Sequence, residues 1–95
     1  MFEIRRDDAE IHLQGRLDAA QSEQADAFLD AQEGDYRLNL SELEYISSAG
    51  LGVLLKNHKK LMARGQSLTL TGVGKHIGDI FRYSGFDKLF NIVPD

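Results

Sequence analysis

The amino-acid sequence predicts an α/β fold, with one mixed β-sheet and three helices packed on it. Segments of apolar alternation and segments of helical periodicity follow one another in the order β-β-α-β-α-β-α-β. The last five elements alternate strand and helix, which is typical of parallel strands joined by right-handed crossovers. The first two strands flank a short polar turn and form a hairpin, which adds an antiparallel edge to the sheet.

Each predicted strand is a short run in which apolar and polar residues alternate, as expected where one face of a sheet is buried. In the first hairpin, Arg6–Ala9 forms the polar turn and Gly15 closes the second strand. The segment Ser41–Tyr45 is expected to be a loop. The predicted strands are Phe2–Ile4, Glu10–Gln14, Arg37–Leu40, Leu68–Thr71 and Asn91–Val93.

Three segments have the periodicity of amphipathic helices, and we expect these helices to begin at about Ala19, Ala49 and Lys75. Asp18 is a good N-cap for the first helix, and Gly34 is suited to the turn that stops it. The second helix has the strongest pattern, with apolar positions at Leu51, Leu54, Leu55, His58, Leu61 and Met62. The side chains expected in the core are Phe28, Leu54, Leu55, Leu61, Ile80 and Phe81.

The composition is that of one small globular domain spanning residues 1–95. The chain has no cysteine, which excludes disulfides, thiolate metal sites and a cysteine nucleophile. Its net charge of −4 argues against direct nucleic-acid binding, because such proteins need a basic face. No apolar run is long enough for membrane insertion, and the first residues do not resemble a signal peptide. We therefore expect a cytoplasmic protein.

No residue pattern in the chain predicts a catalytic, metal or cofactor site. The three histidines, His12, His58 and His76, lie in different predicted elements, whereas a metal site needs three or four converging ligands. The run Gly72–Lys75, followed by Gly78, resembles a phosphate-binding loop between a strand and a helix. Its spacing matches neither the dinucleotide fingerprint nor the Walker loop. An enzyme is therefore not expected.

The most informative segment is the junction after the third predicted strand, where small residues crowd the start of the second helix. Ser48 is placed to be the N-cap of that helix or one residue from it. The residues alone leave two interpretations open. Serine caps helices and small residues make tight turns, so the segment is explained by structure. Alternatively, Ser48 is a phosphorylation site, because a helix N-terminus stabilises a phosphate through its dipole and free amides.

Three segments make the chain resemble the STAS domain family, and within it the single-domain bacterial anti-sigma-factor antagonists. They are GRLDAA at residues 15–20, LNLSELEYISSAGLGVLL at 38–55 and IFRYSGFDKLFNI at 80–92. The resemblance covers Phe2 to about Val93 and implies the STAS fold. It also implies a binding switch. The unphosphorylated antagonist binds an anti-sigma factor, a serine kinase of the histidine-kinase-like ATPase fold, and frees the sigma factor. The kinase phosphorylates the antagonist, and a phosphatase of PP2C type reverses the modification.

Carried onto this sequence, the resemblance implies that Ser48 is the phosphoacceptor. The partner-binding surface that it implies consists of Ser47, Ser48, Ala49, Gly50 and Leu51. Three positions depart from the family pattern: Asn39 and Ser47 replace aspartates, and Ala49 replaces a serine or threonine. The resemblance leaves a second role open. STAS domains also serve as constitutive subunits of transporter or lipid-trafficking ATPase complexes, where no phosphoserine is needed.

Overall fold

The computed structural model describes residues 1–93, and its elements follow the predicted order. The strands are β1 (Phe2–Asp7), β2 (Glu10–Leu17), β3 (Tyr36–Ile46), β4 (Leu68–Thr71) and β5 (Asn91–Ile92). The helices are α1 (Ser22–Asp30), α2 (Ser48–Ala63) and α3 (Lys75–Ser84), with 3₁₀ turns at Ala19–Gln21 and Phe86–Lys88. The starts of α2 and α3 therefore lie within one residue of their predicted positions.

The five strands form one sheet in the order β1-β2-β3-β4-β5. β1 runs antiparallel to β2, and every other neighbouring pair is parallel. The predicted mixed sheet is thus confirmed. Because the parallel strands follow one another in sequential order, right-handed crossovers place all three helices on the same face. Alternate residues of β2, such as Ile11 and Leu13, are buried under that face, while the residues between them are more exposed.

The hydrophobic core lies between the sheet and the helices. Leu54, Leu61 and Phe81 are buried in it, as predicted. The other three predicted core residues, Phe28, Leu55 and Ile80, are only partly buried and pack against its margin. Met62 was predicted to lie on the apolar face of the second helix. In the structure it lies at the border of that face and is 58% exposed. No helix within residues 1–93 is long and apolar enough to cross a membrane.

β3 continues through Ser41–Tyr45, so the prediction of a loop there is wrong. The pairing of β3 with β2 shifts register twice, opposite residues 12–14 and again opposite residues 15–16 of β2, and each shift places an extra residue on β3. Such β-bulges break the alternation by which a strand is recognised in a sequence. The buried side chains here come at intervals of three: Leu40, Leu43 and Ile46.

β2 also extends beyond its predicted end, because Gly15 lies inside the strand rather than closing it. Gly15 has a φ of +89°, and a β-carbon there would collide with the carbonyl oxygen of Met1. That same carbonyl accepts a hydrogen bond of 3.0 Å from the amide of Arg16. The glycine therefore allows the first residues of β1 to lie against β2.

The first helix is shorter than predicted at both ends. Asp18 does act as a cap, but for the 3₁₀ turn at Ala19–Gln21, where its carboxylate accepts a 3.0 Å hydrogen bond from the amide of Ala20. The α-helix begins only after this turn and ends at Asp30, before Gly34. Gly34 lies in the connection to β3 with a φ of +79°, a conformation that suits glycine.

Candidate functional site

The candidate site lies where β3 passes into α2. Because β2, β3 and β4 are parallel, their carboxyl ends share one edge of the sheet, and the three helices begin near that edge. The amide of Ser47 donates a 2.9 Å hydrogen bond to the carbonyl oxygen of Leu17, the last residue of β2. The start of α2 is therefore attached to two neighbouring strands, to β3 by the chain and to β2 by this hydrogen bond.

Ser47, the residue before the predicted phosphoacceptor, is the N-cap of α2. Its backbone is extended (φ −85°, ψ 171°), and its Oγ accepts a 3.2 Å hydrogen bond from the amide of Gly50. Its carbonyl oxygen accepts the first helical bond, 2.8 Å from the amide of Leu51. The hydroxyl of Ser47 thus has a structural task in the folded chain.

Ser48 is the first residue of α2, one residue from the cap, as the sequence allowed. It is exposed, and within residues 1–93 its hydroxyl makes no hydrogen bond. The amides of Ser48 and Ala49 have no partner in that same part of the chain, since a helix leaves its first amides without intrahelical acceptors. The site therefore presents a free hydroxyl beside two free N–H groups and the positive end of a helix dipole.

The predicted partner-binding surface divides into exposed and supporting residues. Ser48 and Ala49 are exposed and Ser47 is half-buried, whereas Gly50 and Leu51 are buried beneath them. A β-carbon on Gly50 would lie 2.9 Å from the carbonyl oxygen of Leu17 and from side-chain atoms of Leu17 and Ile46. Gly50 is therefore needed for the helix start to reach the end of β2.

A second glycine in α2, Gly52, has no such packing reason. It is exposed, and a β-carbon there would meet nothing within 4 Å. A glycine inside a helix destabilises it by about 1 kcal/mol relative to alanine. It lies one turn from Ser48 on the same face, so it leaves the helix backbone open beside the exposed hydroxyl.

Two ion pairs join the side of α2 that faces α1 to that helix. Lys56 donates to the Asp26 carboxylate at 2.8 Å, and Lys60 donates to that of Asp30 at 2.5 Å. The Lys56 hydrogen bond holds the pKa of Asp26 below its usual value. The side-chain amide of buried Asn57 also donates a hydrogen bond to the Asp26 carboxylate, at 3.2 Å. These contacts fix the position of α2 against α1.

The glycine-rich turn after β4 opens α3, as predicted. Gly72 has a φ of +62°, and Gly74 is the N-cap of α3 without a side-chain cap. The ammonium of Lys75 lies 3.2 Å from the carboxylate of Asp79, which also pairs with Arg82. The lysine that would contact a phosphate in a phosphate-binding loop is therefore paired with a carboxylate of its own helix.

The histidines lie apart from one another in the fold. His12 pairs with Glu10 at 3.0 Å in β2, His58 is buried in α2 beside the ring of Phe90, and His76 is exposed in α3. In the described part of the chain, no three histidine or acidic side chains converge as metal ligands would.

Comparisons with known proteins identify a family that spans almost the whole chain and relatives that match most of it. Residues 1–94 match the profile of the family described as "Mlab, STAS domain". The chain is 40% identical over 84 residues to BtrV of Bordetella bronchiseptica, which is named as a candidate anti-sigma factor antagonist. That match covers 84% of this chain and 72% of BtrV. An anti-sigma-B factor antagonist of Staphylococcus epidermidis is 33% identical over 63 residues, which are 64% of this chain and 58% of that relative.

Solved structures share the fold at lower sequence identity. The anti-sigma factor antagonist SpoIIAA in its unphosphorylated form is 16% identical, with a TM-score of 0.71 over 100% of this chain and 89% of that chain. A sulfate transporter family protein from Wolinella succinogenes is 20% identical, with a TM-score of 0.72 over 83% of this chain and 67% of that one. Together with the profile match over residues 1–94, this fold shows that the chain belongs to the STAS domain family.

Proposed function

We propose that this protein is an anti-sigma factor antagonist whose binding activity is switched by phosphorylation of Ser48. In its unphosphorylated state the start of α2 binds an anti-sigma factor that is a serine kinase of the histidine-kinase-like ATPase fold, and the sigma factor is released. Phosphorylation of Ser48 ends this binding, and a phosphatase of PP2C type restores it. The switch operates in the cytoplasm. Support comes from the relatives named as antagonists and from the geometry of the two serines.

The observation that carries the proposal is the different use of the two neighbouring hydroxyl groups. The Oγ of Ser47 caps α2 by accepting from the Gly50 amide, whereas the hydroxyl of Ser48 is exposed. A kinase can reach Ser48 without breaking the cap. In the transfer, the Ser48 oxygen forms a bond to the γ-phosphorus of ATP as the bond to the β-phosphate oxygen breaks. The hydroxyl proton leaves to a base of the kinase, and ADP is the product.

A phosphate on Ser48 is compatible with the fold and unfavourable for binding. It adds a charge of about −1.5 to −2 at a helix N-terminus, where the dipole and the free amides of Ser48 and Ala49 stabilise an anion. Two exposed neighbours on the same helix are small, since Ala49 has only a methyl group and Gly52 has no side chain. A partner that approaches this surface closely meets new bulk and charge, and it must strip water from the phosphate.

A second role is supported by a separate observation. The fold is shared with a sulfate transporter family protein, and the positions of Asn39, Ser47 and Ala49 depart from the antagonist pattern. In this alternative the same surface binds an ATPase of a transporter or lipid-trafficking complex constitutively, and Ser48 carries no phosphate.

One experiment separates the two roles. The tagged chain is recovered from its native cells, co-purified proteins are identified by mass spectrometry, and the kinase so identified is purified and incubated with the chain and ATP. We expect a serine kinase among the partners and phosphate on Ser48 by phosphopeptide mapping. Phosphate on Ser47 alone, or on neither serine, contradicts the proposal and favours the constitutive role.

Alanine variants of the two serines show which hydroxyl accepts the phosphate. Ser48→Ala should bind the kinase and take up no phosphate. Ser47→Ala should still be phosphorylated, because it removes the cap but keeps the acceptor. Loss of phosphorylation in both variants would mean that the kinase needs the shape of the whole junction rather than the Ser48 hydroxyl.

A further inference from the structure

The first strand of the sheet, β1, has an open edge. It is the outermost strand of the order β1-β2-β3-β4-β5, so β2 pairs with it on one side only. The side chains of Glu3, Arg5 and Asp7 are all exposed. Within residues 1–93, no segment other than β2 forms backbone hydrogen bonds with β1. A strand in this position presents free N–H and C=O groups that can pair with another strand.

The hydrogen bonds of β2 identify the backbone groups that face this edge. The amide of Arg16 donates to the carbonyl oxygen of Met1 at 3.0 Å, whereas the carbonyl oxygen of Leu17 accepts from the amide of Ser47, on the β3 side. Because such bonds alternate along a strand, the odd-numbered residues of β1 bond to β2 in the observed register. The residues whose N–H and C=O groups face the open edge are therefore Phe2, Ile4 and Arg6.

Two copies of β1 can pair antiparallel about a two-fold axis, and these groups restrict the register. Residues that face the edge must lie opposite one another, so the axis passes at Glu3, Ile4 or Arg5 if most of the strand is to be paired. With the axis at Ile4, this residue lies opposite its own counterpart, and Phe2 lies opposite Arg6 of the second copy. About six backbone hydrogen bonds then form, two for each of three residue pairs.

Charge selects the register with its axis at Ile4. In this register Glu3 lies opposite Arg5 of the second copy, and the symmetry gives the pair twice. An axis at Glu3 places that carboxylate against its own counterpart. An axis at Arg5 places two guanidinium groups together and sets Glu3 against Asp7. Opposite charges across neighbouring strands stabilise their pairing and like charges destabilise it, so the strand is self-complementary in the register centred on Ile4.

The side chains on both faces of β1 are available for this pairing. On the outer face, the 3.8 Å ion pair of Arg5 with Glu42 leaves the two side chains 52% and 50% exposed. On the face that carries the helices, Ile4 is only partly buried at the margin of the core. Contact with its counterpart would remove apolar surface from water.

We infer that β1 is a dimerisation edge, through which two copies of this chain join their sheets antiparallel about a two-fold axis at Ile4. The joined sheet has the helices of both copies on the same face. The parallel strands of the two copies point in opposite directions, so the two Ser48 sites lie at opposite ends of the dimer. One strand from each copy makes a small interface, and the dimer is therefore weak and dependent on protein concentration.

Sedimentation equilibrium of the full chain at increasing concentration measures this association. We expect the parent chain to dimerise reversibly. Glu3→Arg and Arg5→Glu each place like charges opposite one another, and each should raise the Kd of the dimer about tenfold or more. The double variant Glu3→Arg/Arg5→Glu restores opposite charges and should return the Kd to within about threefold of the parent value.

The control is Lys88→Glu, which makes the same change in net charge as Arg5→Glu. Lys88 is exposed in the 3₁₀ turn before β5, at the opposite edge of the sheet. This variant should leave the Kd within about twofold of the parent value, as expected for a residue outside the interface. An effect as large as that of Arg5→Glu would show that net charge, and not strand pairing, controls association, and would overturn the inference.

A mixture of the two single variants tests the register directly. The arginines of the Glu3→Arg chain face the glutamates of the Arg5→Glu chain, so the mixture should form heterodimers at concentrations where each variant alone is monomeric. The inference is overturned if the parent stays monomeric up to about 1 mM. It is also overturned if the single variants dimerise as tightly as the parent, or if neither the double variant nor the mixture regains association.

Amide hydrogen exchange of the parent chain needs no substitution and so does not depend on the folding of any variant. The amides of Phe2, Ile4 and Arg6 should become protected as the protein concentration rises, because they face the second copy. Exchange at these amides that does not change with concentration would also overturn the inference. None of these measurements involves the kinase, so their outcome is independent of the proposed function.

Discussion

The carbonyl oxygen of Leu17 lies 2.9 Å from the place that a β-carbon would take on Gly50. This close approach joins the end of β2 to the first turn of α2. The same carbonyl accepts the hydrogen bond from the amide of Ser47. The orientation of the two junction serines therefore depends on a glycine that is itself buried.

Gly50→Ala should destabilise the protein, whereas Gly52→Ala should not. The methyl group at position 50 would force the helix away from β2, and such overpacking costs about 1–3 kcal/mol in the free energy of unfolding. At position 52 the methyl group meets open space, so alanine should add about 0.5–1 kcal/mol through its helix propensity. Urea unfolding of the two variants measures both values. Equal effects at the two positions would contradict the packing described for Gly50.

Urea unfolding of the two serine-to-alanine variants should show which hydroxyl stabilises the fold as a helix cap and which is merely exposed. Ser47→Ala removes the acceptor of the Gly50 amide, so we expect a loss of about 0.5–2 kcal/mol. Ser48→Ala removes an exposed hydroxyl and should stay within about 0.5 kcal/mol of the parent. A larger loss at Ser48 than at Ser47 would mean that the cap has been assigned to the wrong serine.

Leu54 and Leu55 are adjacent in α2 and differ in burial, which gives a graded test of the core. Leu54 is fully buried, so Leu54→Ala should cost about 2–5 kcal/mol through lost burial and a residual cavity. Leu55 lies at the margin of the core, so Leu55→Ala should lower the free energy of unfolding clearly less than Leu54→Ala does. Urea melts decide this. A Leu54 loss under about 1 kcal/mol would show that the side chain is not packed inside.

Ionisation of the Tyr36 phenol should lower the stability of the protein at alkaline pH. Burial raises the pKa of its phenol to about 12, an effect that Arg6 opposes in part. The folded state therefore favours the neutral phenol. The stability that the neutral phenol contributes to the folded state is fully present below the unfolded-state pKa of about 10. It is lost as the pH rises from there towards 12. Within residues 1–93 the buried hydroxyl has no hydrogen-bond partner.

The variant that tests this is Tyr36→Phe, with Tyr83→Phe as the control, because the side chain of Tyr83 is 91% exposed. At neutral pH, Tyr36→Phe should be as stable as the parent, since no hydrogen bond is lost. Between pH 10 and 12 it should retain up to about 2 kcal/mol that the parent loses. An unfolding series at increasing pH measures the difference. If both variants follow the parent curve, Tyr36 does not titrate as described.

The parts of the fold that the sequence predicts are those where one local rule applies. β4 alternates cleanly, and α3 begins at its predicted residue, Lys75, directly after Gly74. β3 was only half predictable. Its second half is held in the sheet by pairing with β2 across two bulges, and that pairing is a tertiary contact which leaves no period in the sequence of β3.

The start of α2 was predictable to within one residue. The sequence placed Ser48 at the N-cap or next to it, and the extended backbone of Ser47 decides which serine is the cap. The exposure of Met62 was not predictable, because a position at the border of a helical face is buried or exposed according to what lies beside it. The same uncertainty applies to Leu55, which only the packing of the neighbouring elements places at the margin of the core.

A carboxylate at position 48 places a negative charge where the exposed hydroxyl lies. Ser48→Asp should keep the fold, and it should add a few tenths of a kcal/mol because a carboxylate suits a helix N-terminus that has no acidic residue in its first turn. Binding to the serine kinase should weaken by well over tenfold, a loss above about 1.4 kcal/mol. The effect should be smaller than that of phosphate, since a carboxylate has less charge and fewer acceptor oxygens. Calorimetric titration of the parent, Ser48→Asp and Ser48→Asn separates charge from size. If Ser48→Asn weakens binding as much as Ser48→Asp does, the partner senses bulk at this position, and repulsion by the phosphate is not the basis of the switch.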